Sequence, residues 1–134
     1  MNKEKVKSML NGKKVSDIFN EYASPMIEFY MDNAGYRNPE DMSIAEIDNI
    51  LKLPWLIWNA VISRGKDAVD YLGSITLLTK HAPNEIKELI KFMRKRKEIE
   101  FKRYDFFLGD VRLNRNVNDG KIIMTVEART PREQ

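Results

Sequence analysis

The residues with the clearest capacity to bind a ligand are the cations in the C-terminal part of the chain. Four stand in sequence and a fifth follows in a stretch rich in Arg and Asn: Arg94, Lys95, Arg96, Lys97 and Arg115. Such groups bind phosphate oxygens, and a helix followed by a hairpin can straddle a nucleic-acid backbone. Glu98 and Glu100 interrupt the run and can pair with it, as on a solvated helix face. Nucleic-acid binding through helix 91–103 and the hairpin is therefore the alternative hypothesis, not the favoured one.

Catalytic chemistry has few residues to build on. His81 is the only histidine and cysteine is absent, so thiolate chemistry and any site that needs two histidines are excluded. The clustered carboxylates Asp67 and Asp70 fall at a predicted helix start, and no glycine loop for phosphates is present. We therefore predict that the chain is not an enzyme and that it has no cofactor-binding and no metal-ligating residues.

The favoured hypothesis is protein–protein association. The chain has two Trp, five Tyr, six Phe and seven Met, a composition common at interfaces. Ile123 and Thr125 fall on the polar face of a predicted hairpin, where an isoleucine indicates an association surface. The strand edges at 111–117 and 121–129 could also pair with another chain. We predict an adaptor, an immunity-type inhibitor or a self-associating domain, whose partner is an unidentified protein or a second copy.

The basic run belongs to the longest stretch with one helical period. Its apolar stripe is interrupted only by Lys97 and consists of Ile86, Leu89, Ile90, Met93, Phe101, Tyr104 and Leu108. We predict a helix over 84–107. Residues 98–102 also alternate like a strand, which leaves a second possibility open, that residues 98–104 end the helix and begin a strand.

After Gly109 the pattern changes to the two-residue period of strands. A two-residue type I′ turn at Asp119 and Gly120 would place apolar residues opposite one another, as Val117 with Ile122, Leu113 with Val126 and Val111 with Ala128. The same register would put Arg115 opposite Met124, Arg112 opposite Glu127 and Asp110 opposite Arg129. We predict a hairpin over 110–129, with one apolar face and a loose tail at 130–134.

The preceding chain predicts further helices over about 3–11, 16–33, 43–53, 54–64 and 67–81. Ser43 and Glu46 have the spacing of a capping box, and Pro54 is expected to break the helix that they begin. The segment after Pro54 is apolar nearly all round, which is typical of a central buried helix. The predicted fold is α+β and predominantly helical, a single globular domain over 1–134 of five to six helices with a C-terminal antiparallel β-hairpin.

The segment from Ser43 to Arg64 is similar in spacing to the helix-turn-helix of many bacterial regulators. It departs from that pattern at Asp48 and Lys52, and its second helix would begin with bulky apolar residues from Trp55. Apolar groups cannot read base edges by hydrogen bonds, so a buried helical hairpin explains the segment better. WNA at 58–60 and VEAR at 126–129 are also similar to strings in small bacterial proteins, which implies no activity.

Composition sets the remaining bounds. Hydrophobic residues make up 43% and charged residues 32% of 134, as in ordinary globular domains. Residues 1–83 hold 10 basic and 11 acidic groups and 84–134 hold 13 and 9, so net charges of −1 and +4 give the total of +3. No apolar run approaches the ~20 residues of a membrane span, and the N-terminus lacks the apolar core of a signal peptide. We therefore expect a cytoplasmic protein that does not act at a membrane.

Overall fold

The computed structural model describes residues 3–129, in which five α-helices precede a two-stranded antiparallel sheet. In chain order the elements are α1 (Lys3–Leu10), α2 (Val15–Ala34), a 3-10 turn (Pro39–Asp41), α3 (Ile44–Ile62), α4 (Gly65–Leu78), α5 (Asn84–Ile99), β1 (Phe107–Arg115) and β2 (Ile122–Arg129). The predicted fold class, mostly helical α+β with a C-terminal hairpin, is confirmed. The predicted tail at 130–134 lies outside the described residues, and no described helix could cross a membrane.

The central element is α3, which packs against α2, α4, α5 and β1. Its Trp58 is fully buried and lies 5.2 Å from the ring of Tyr22 and 5.7 Å from the ring of Phe106. The indole Nε1 donates a hydrogen bond of 2.8 Å to the Phe106 carbonyl. Because α3 has neighbours on several sides, the apolar side chains that follow Pro54 can pack against the core from different faces of the helix.

The predicted break at Pro54 is wrong, because α3 runs unbroken from Ile44 to Ile62. A proline inside a helix costs about 3 kcal/mol, whereas each large apolar side chain that becomes buried contributes about 1.5–3 kcal/mol. Leu51, Ile57 and Trp58 are all buried along this one helix. Burial therefore outweighs the proline. The unbroken helix also removes the resemblance to a helix-turn-helix, which requires a turn here.

The long helix is shorter than predicted, since α5 ends at Ile99 rather than at 107. The strand alternative over 98–104 is also wrong, because residues 100–106 form a turn-rich link before β1. Phe101, Tyr104 and Phe106 in this link are all buried, and all three rings lie near Trp58. A straight helix could not direct all three side chains to one ring, so the core ends the helix early.

The hairpin forms, but its strands pair two residues away from the predicted register. Arg115 faces Ile122 rather than Met124, and Leu113 faces Met124 rather than Val126. The connection has four residues, 117–120, with φ 73° at Gly120, instead of a two-residue type I′ turn. The amide N–H of Gly120 donates to the Asn116 carbonyl at 2.9 Å, which closes this wider loop.

A shift of two residues preserves the sidedness of a strand, because side chains alternate with a period of two. The apolar residues Val111, Leu113, Met124 and Val126 therefore still face the helices. Arg112 faces Thr125 and not Glu127, so that predicted charge pair is wrong. A bulge between Leu108 and Val111 changes the register again, and Asp110 and Arg129 still form an ion pair at 3.7 Å.

Candidate association surface

Three of the five cations proposed for phosphate contact are engaged inside the molecule, and Lys97 is the clearest case. Its side chain is 2% exposed, and its Nζ donates hydrogen bonds to the carbonyls of Phe101 (2.8 Å) and Tyr104 (3.0 Å). The same Nζ lies 4.3 Å from the centre of the Trp58 ring. Burial lowers the pKa of this amine to about 8, and the carboxylate of Asp105 opposes the shift. Lys97 therefore fastens the link after α5 and is not available to a surface ligand.

Arg96 joins α5 to a defect in α2. Pro25 has no N–H, so the carbonyl of Glu21, four residues earlier, lacks a backbone donor within its helix and accepts from the Ser24 hydroxyl at 2.9 Å. The Arg96 guanidinium supplies a second donor, with Nη2 at 2.9 Å from that carbonyl and Nε at 3.3 Å from the Tyr22 carbonyl. Its Nη1 also pairs with Glu100 at 2.7 Å. The positive charge of Arg96 is thus committed to contacts within the chain.

Arg115 holds the hairpin against the connection between α2 and α3. Its Nη2 donates to the Met42 carbonyl at 2.7 Å. Its Nη1 donates to the carbonyls of Glu40 at 3.1 Å and Gly120 at 3.0 Å. These three bonds join the loop of the hairpin to residues 40–42, so the guanidinium has little capacity left for a phosphate.

Arg94 and Lys95 remain exposed on α5, and neither has an ion pair or a hydrogen bond from its side chain within residues 3–129. The five cations are therefore not gathered into one basic surface in the described part of the chain. Two neighbouring exposed cations resemble an ordinary solvated helix face. Binding to nucleic acid thus has no assembled phosphate site among these residues.

Ile123 and Thr125, the residues predicted for association, lie together on the outer face of β2. Both side chains are exposed, and Ile123 retains 47% of its accessible surface. Across the hairpin they face Asn114 and Arg112, so a single apolar side chain lies within a polar surface. The two-residue period of the strand places them there in either register.

The outer edge of β2 carries peptide groups without partners. The N–H of Asn116 donates to the Lys121 carbonyl at 2.8 Å, which fixes the phase of the antiparallel ladder. By the alternation of such ladders, the N–H and C=O groups of Ile122, Met124 and Val126 point away from β1. In residues 3–129 the sheet has no third strand, and no other hydrogen bond reaches these groups. Beside them, a groove of about 550 Å³ lies between the hairpin and α2.

The start of β1 is sealed by two side chains from α3. The carboxamide of Asn59 donates to the Leu108 carbonyl at 3.0 Å and accepts from the Leu108 N–H at 2.8 Å. Trp55 Nε1 donates to the Gly109 carbonyl at 2.8 Å. Asn59 is fully buried, and its side chain takes the place of a neighbouring strand. The sequence carried a signal for it, since one amide inside an apolar helix must find partners.

A second apolar surface lies on α4, which has only Ile75 buried. Val69 is 67% exposed and Leu77 is 76% exposed. A shallow groove between α3 and α4 runs beside Leu77 and Trp55. Nothing in the described residues covers this surface, so it adds apolar area without indicating what would bind there.

Comparisons of the chain with protein-family models, with curated proteins and with solved structures found no match. Among residues 3–129, no three His, Cys, Asp or Glu side chains come together as metal ligands would. His81 is exposed in the link between α4 and α5. The open edge of β2 is therefore the feature of the described residues with the most specific binding geometry.

Proposed function

We propose that this chain is a protein–protein association module that binds a β-strand of another protein along the outer edge of β2. The observation that carries the proposal is the row of outward peptide groups at Ile122, Met124 and Val126. An unpaired edge is a template for another strand, because each added residue pair supplies main-chain hydrogen bonds. Ile123 and Thr125 would then supply side-chain contacts on the outer face.

The edge of β1 is less suited to such a partner. Its first residues are occupied by Asn59 and Trp55, and the bulge that follows twists the strand. The ladder of β2 between Ile122 and Val126 has no such irregularity. A strand laid along β2 could therefore form an uninterrupted ladder.

Such a contact would gain free energy from main-chain hydrogen bonds and from apolar burial. Each main-chain hydrogen bond contributes about 0.5–1.5 kcal/mol net, and complete burial of an isoleucine about 1.5–3 kcal/mol. Ile123 is half exposed, so about half of its apolar surface is still available to a partner. Adaptor, inhibitor and self-association roles would all use a surface of this kind. The cytoplasmic location and the absence of catalysis stay predictions.

Photo-crosslinking tests the proposal. A benzoylphenylalanine at position 123 should capture a partner in cells, whereas the same group at Phe92, whose side chain is 49% exposed on α5, should not. In Met124→Pro the outward N–H is lost while the hydrogen bonds between β1 and β2 remain, so capture from position 123 should disappear. Equal capture from both positions, or capture that survives Met124→Pro in a variant with normal circular dichroism, would contradict the proposal.

A further inference from the structure

We infer that the partner strand is β2 of a second copy of this chain, antiparallel to the first and with Met124 facing Met124. This inference rests on the proposed function and names its occupant. Two observations support it independently, the phase of the outward peptide groups and the order of charges along β2.

The backbone restricts the possible registers. Outward groups occur at Ile122, Met124 and Val126, and the residues between them bond to β1. In a two-fold antiparallel pairing, outward groups meet outward groups when the axis passes beside a residue and not between two residues, so the axis can lie at any of residues 122–126. With the axis at Met124, Ile122 of each copy faces Val126 of the other, and all three residues pair.

The side chains select among these registers. With the axis at Met124, Lys121 faces Glu127 of the second copy, and Ile123 faces Thr125 of the second copy. Symmetry repeats both pairs, so two opposite-charge pairs flank two pairs of β-branched side chains, which are favourable cross-strand neighbours. Within residues 3–129, neither the Lys121 nor the Glu127 side chain has an ion pair across the hairpin that this pairing would disrupt, since Glu127 pairs with Arg129 on its own strand.

The four other registers lack this agreement. With the axis at Ile123, Lys121 would face Thr125, and with the axis at Thr125, Ile123 would face Glu127. With the axis at Ile122, Lys121 would face Ile123 and Glu127 would pass beyond the ladder. With the axis at Val126, Ile123 would face Arg129 and Thr125 would face Glu127. The last two registers place an apolar residue opposite a cation, and none of the four joins Lys121 to Glu127. The Met124 register alone joins the charges and the β-branched residues at once.

The resulting dimer would have one four-stranded sheet in place of two separate hairpins. Two strands alone are marginal in water, whereas four strands over helices form a stable layer. A two-fold axis perpendicular to the sheet keeps the inner faces of both hairpins on the same side. The helices of both copies would then cover one face, and the half-buried Met124 side chains would meet at the centre.

Sedimentation velocity over a range of concentrations tests the inference with a charge-swap set. We expect the unmodified chain to dimerise and each of Lys121→Glu and Glu127→Lys to raise the dissociation constant about tenfold, because two attractive pairs become repulsive. An equimolar mixture of the two variants should regain affinity, since each variant then meets the opposite charge. Both residues are exposed, and thermal unfolding followed by circular dichroism checks that each variant folds.

The outcomes separate this inference from the proposed function. A chain that stays monomeric at every concentration, yet is captured from position 123 by a different protein, overturns the second copy as partner and leaves strand binding intact. A dimer that is indifferent to both single variants overturns the register. Recovery in the mixture, together with loss of the dimer in Met124→Pro, supports both statements.

Discussion

The two edges of the hairpin differ in how their peptide groups are satisfied. At the start of β1, the buried Asn59 and the indole of Trp55 bond to Leu108 and Gly109, so the chain itself closes this end of the edge. Along β2, the corresponding groups at Met124 and its neighbours have no partner within residues 3–129. The chain thus uses a buried amide to close the start of β1 and leaves the regular ladder of β2 open from Ile122 to Val126.

The same division applies to the cations. Lys97, Arg96 and Arg115 each donate to at least two backbone carbonyls, whereas Arg94 and Lys95 are exposed. Sequence position alone does not distinguish these groups, because four of them are consecutive. Burial and the nearby carbonyls decide which of them are structural.

Asn59→Ala should cause the largest loss. It leaves the buried N–H and C=O of Leu108 without partners, at about 1–3 kcal/mol for each group, so we expect about 4 kcal/mol from guanidinium unfolding. Asn114→Ala, on the exposed outer face of β1, is the matched control and should change stability by less than about 0.5 kcal/mol. Equal effects of the two substitutions would contradict a sealed edge.

Lys97→Met should lose about 2–3 kcal/mol. The Tyr104 carbonyl loses its donor, and the Phe101 carbonyl keeps only the Tyr104 N–H, at 3.2 Å. Removal of a buried charge offsets part of this loss. The pH dependence of stability is more specific. The pKa of Lys97 is about 8 in the fold and 10.5 when exposed, so between these values the unfolded chain binds more protons. The stability of the unmodified chain should therefore rise with pH above about 8, and the variant should lack this rise.

The pH range in which this rise can be measured ends near pH 10, the ordinary pKa of tyrosine. Burial raises the pKa of Tyr22, so in more alkaline solution the unfolded chain loses a proton that the folded chain keeps, and stability falls. Urea titrations at intervals between pH 7.5 and 9.5 would isolate the contribution of Lys97. A flat difference between the unmodified chain and Lys97→Met over this range would contradict a buried amine.

Arg115→Ala should lose about 1–2 kcal/mol, since its guanidinium bonds to three carbonyls but is exposed. Arg94→Ala removes the same charge from a residue without such bonds and should lie within about 0.5 kcal/mol of the unmodified chain. Chemical unfolding of both variants measures the difference. A larger loss for Arg94 would contradict the division between structural and solvated cations.

Ile123→Lys should have the smallest effect on folding, within about 0.5 kcal/mol, because the side chain is half exposed on the outer face. Its effect on association should be large, with a dissociation constant at least about tenfold higher, because a cation replaces the apolar contact. Thermal unfolding and sedimentation of the same sample measure both. Loss of folding without loss of association would reverse the assignment of this face.

The sequence predicted most of the fold because periodicity survives local errors. The hairpin pairs two residues away from its expected register, yet the same side chains face the helices, and Ile123 and Thr125 stay outside. What could not be predicted depends on tertiary contacts. The burial around Trp58 overrides Pro54 and ends α5 at Ile99, and whether Lys97 is solvated or buried depends on that same ring.

The sequence predicted which side chains of β2 lie on the outer face of the hairpin. It did not distinguish the free edge of β2 from the edge of β1. Alternation assigned Ile123 to solvent, but both strand edges were equally open to another chain at that point. The start of the β1 edge is closed by Asn59, which lies 49 residues before Leu108 in the sequence. A pattern within β1 and β2 carries no trace of that contact.

Amide hydrogen exchange by NMR is the most direct test of the difference between the two edges. In dilute solution the Leu108 amide, bonded to Asn59, should be strongly protected, whereas the amides of Ile122, Met124 and Val126 should exchange rapidly. On concentration these three should become protected while Leu108 changes little. Rapid exchange at Leu108 would contradict the closure of β1 at its start by Asn59. Protection of all three β2 amides that does not depend on concentration would contradict an open edge of β2.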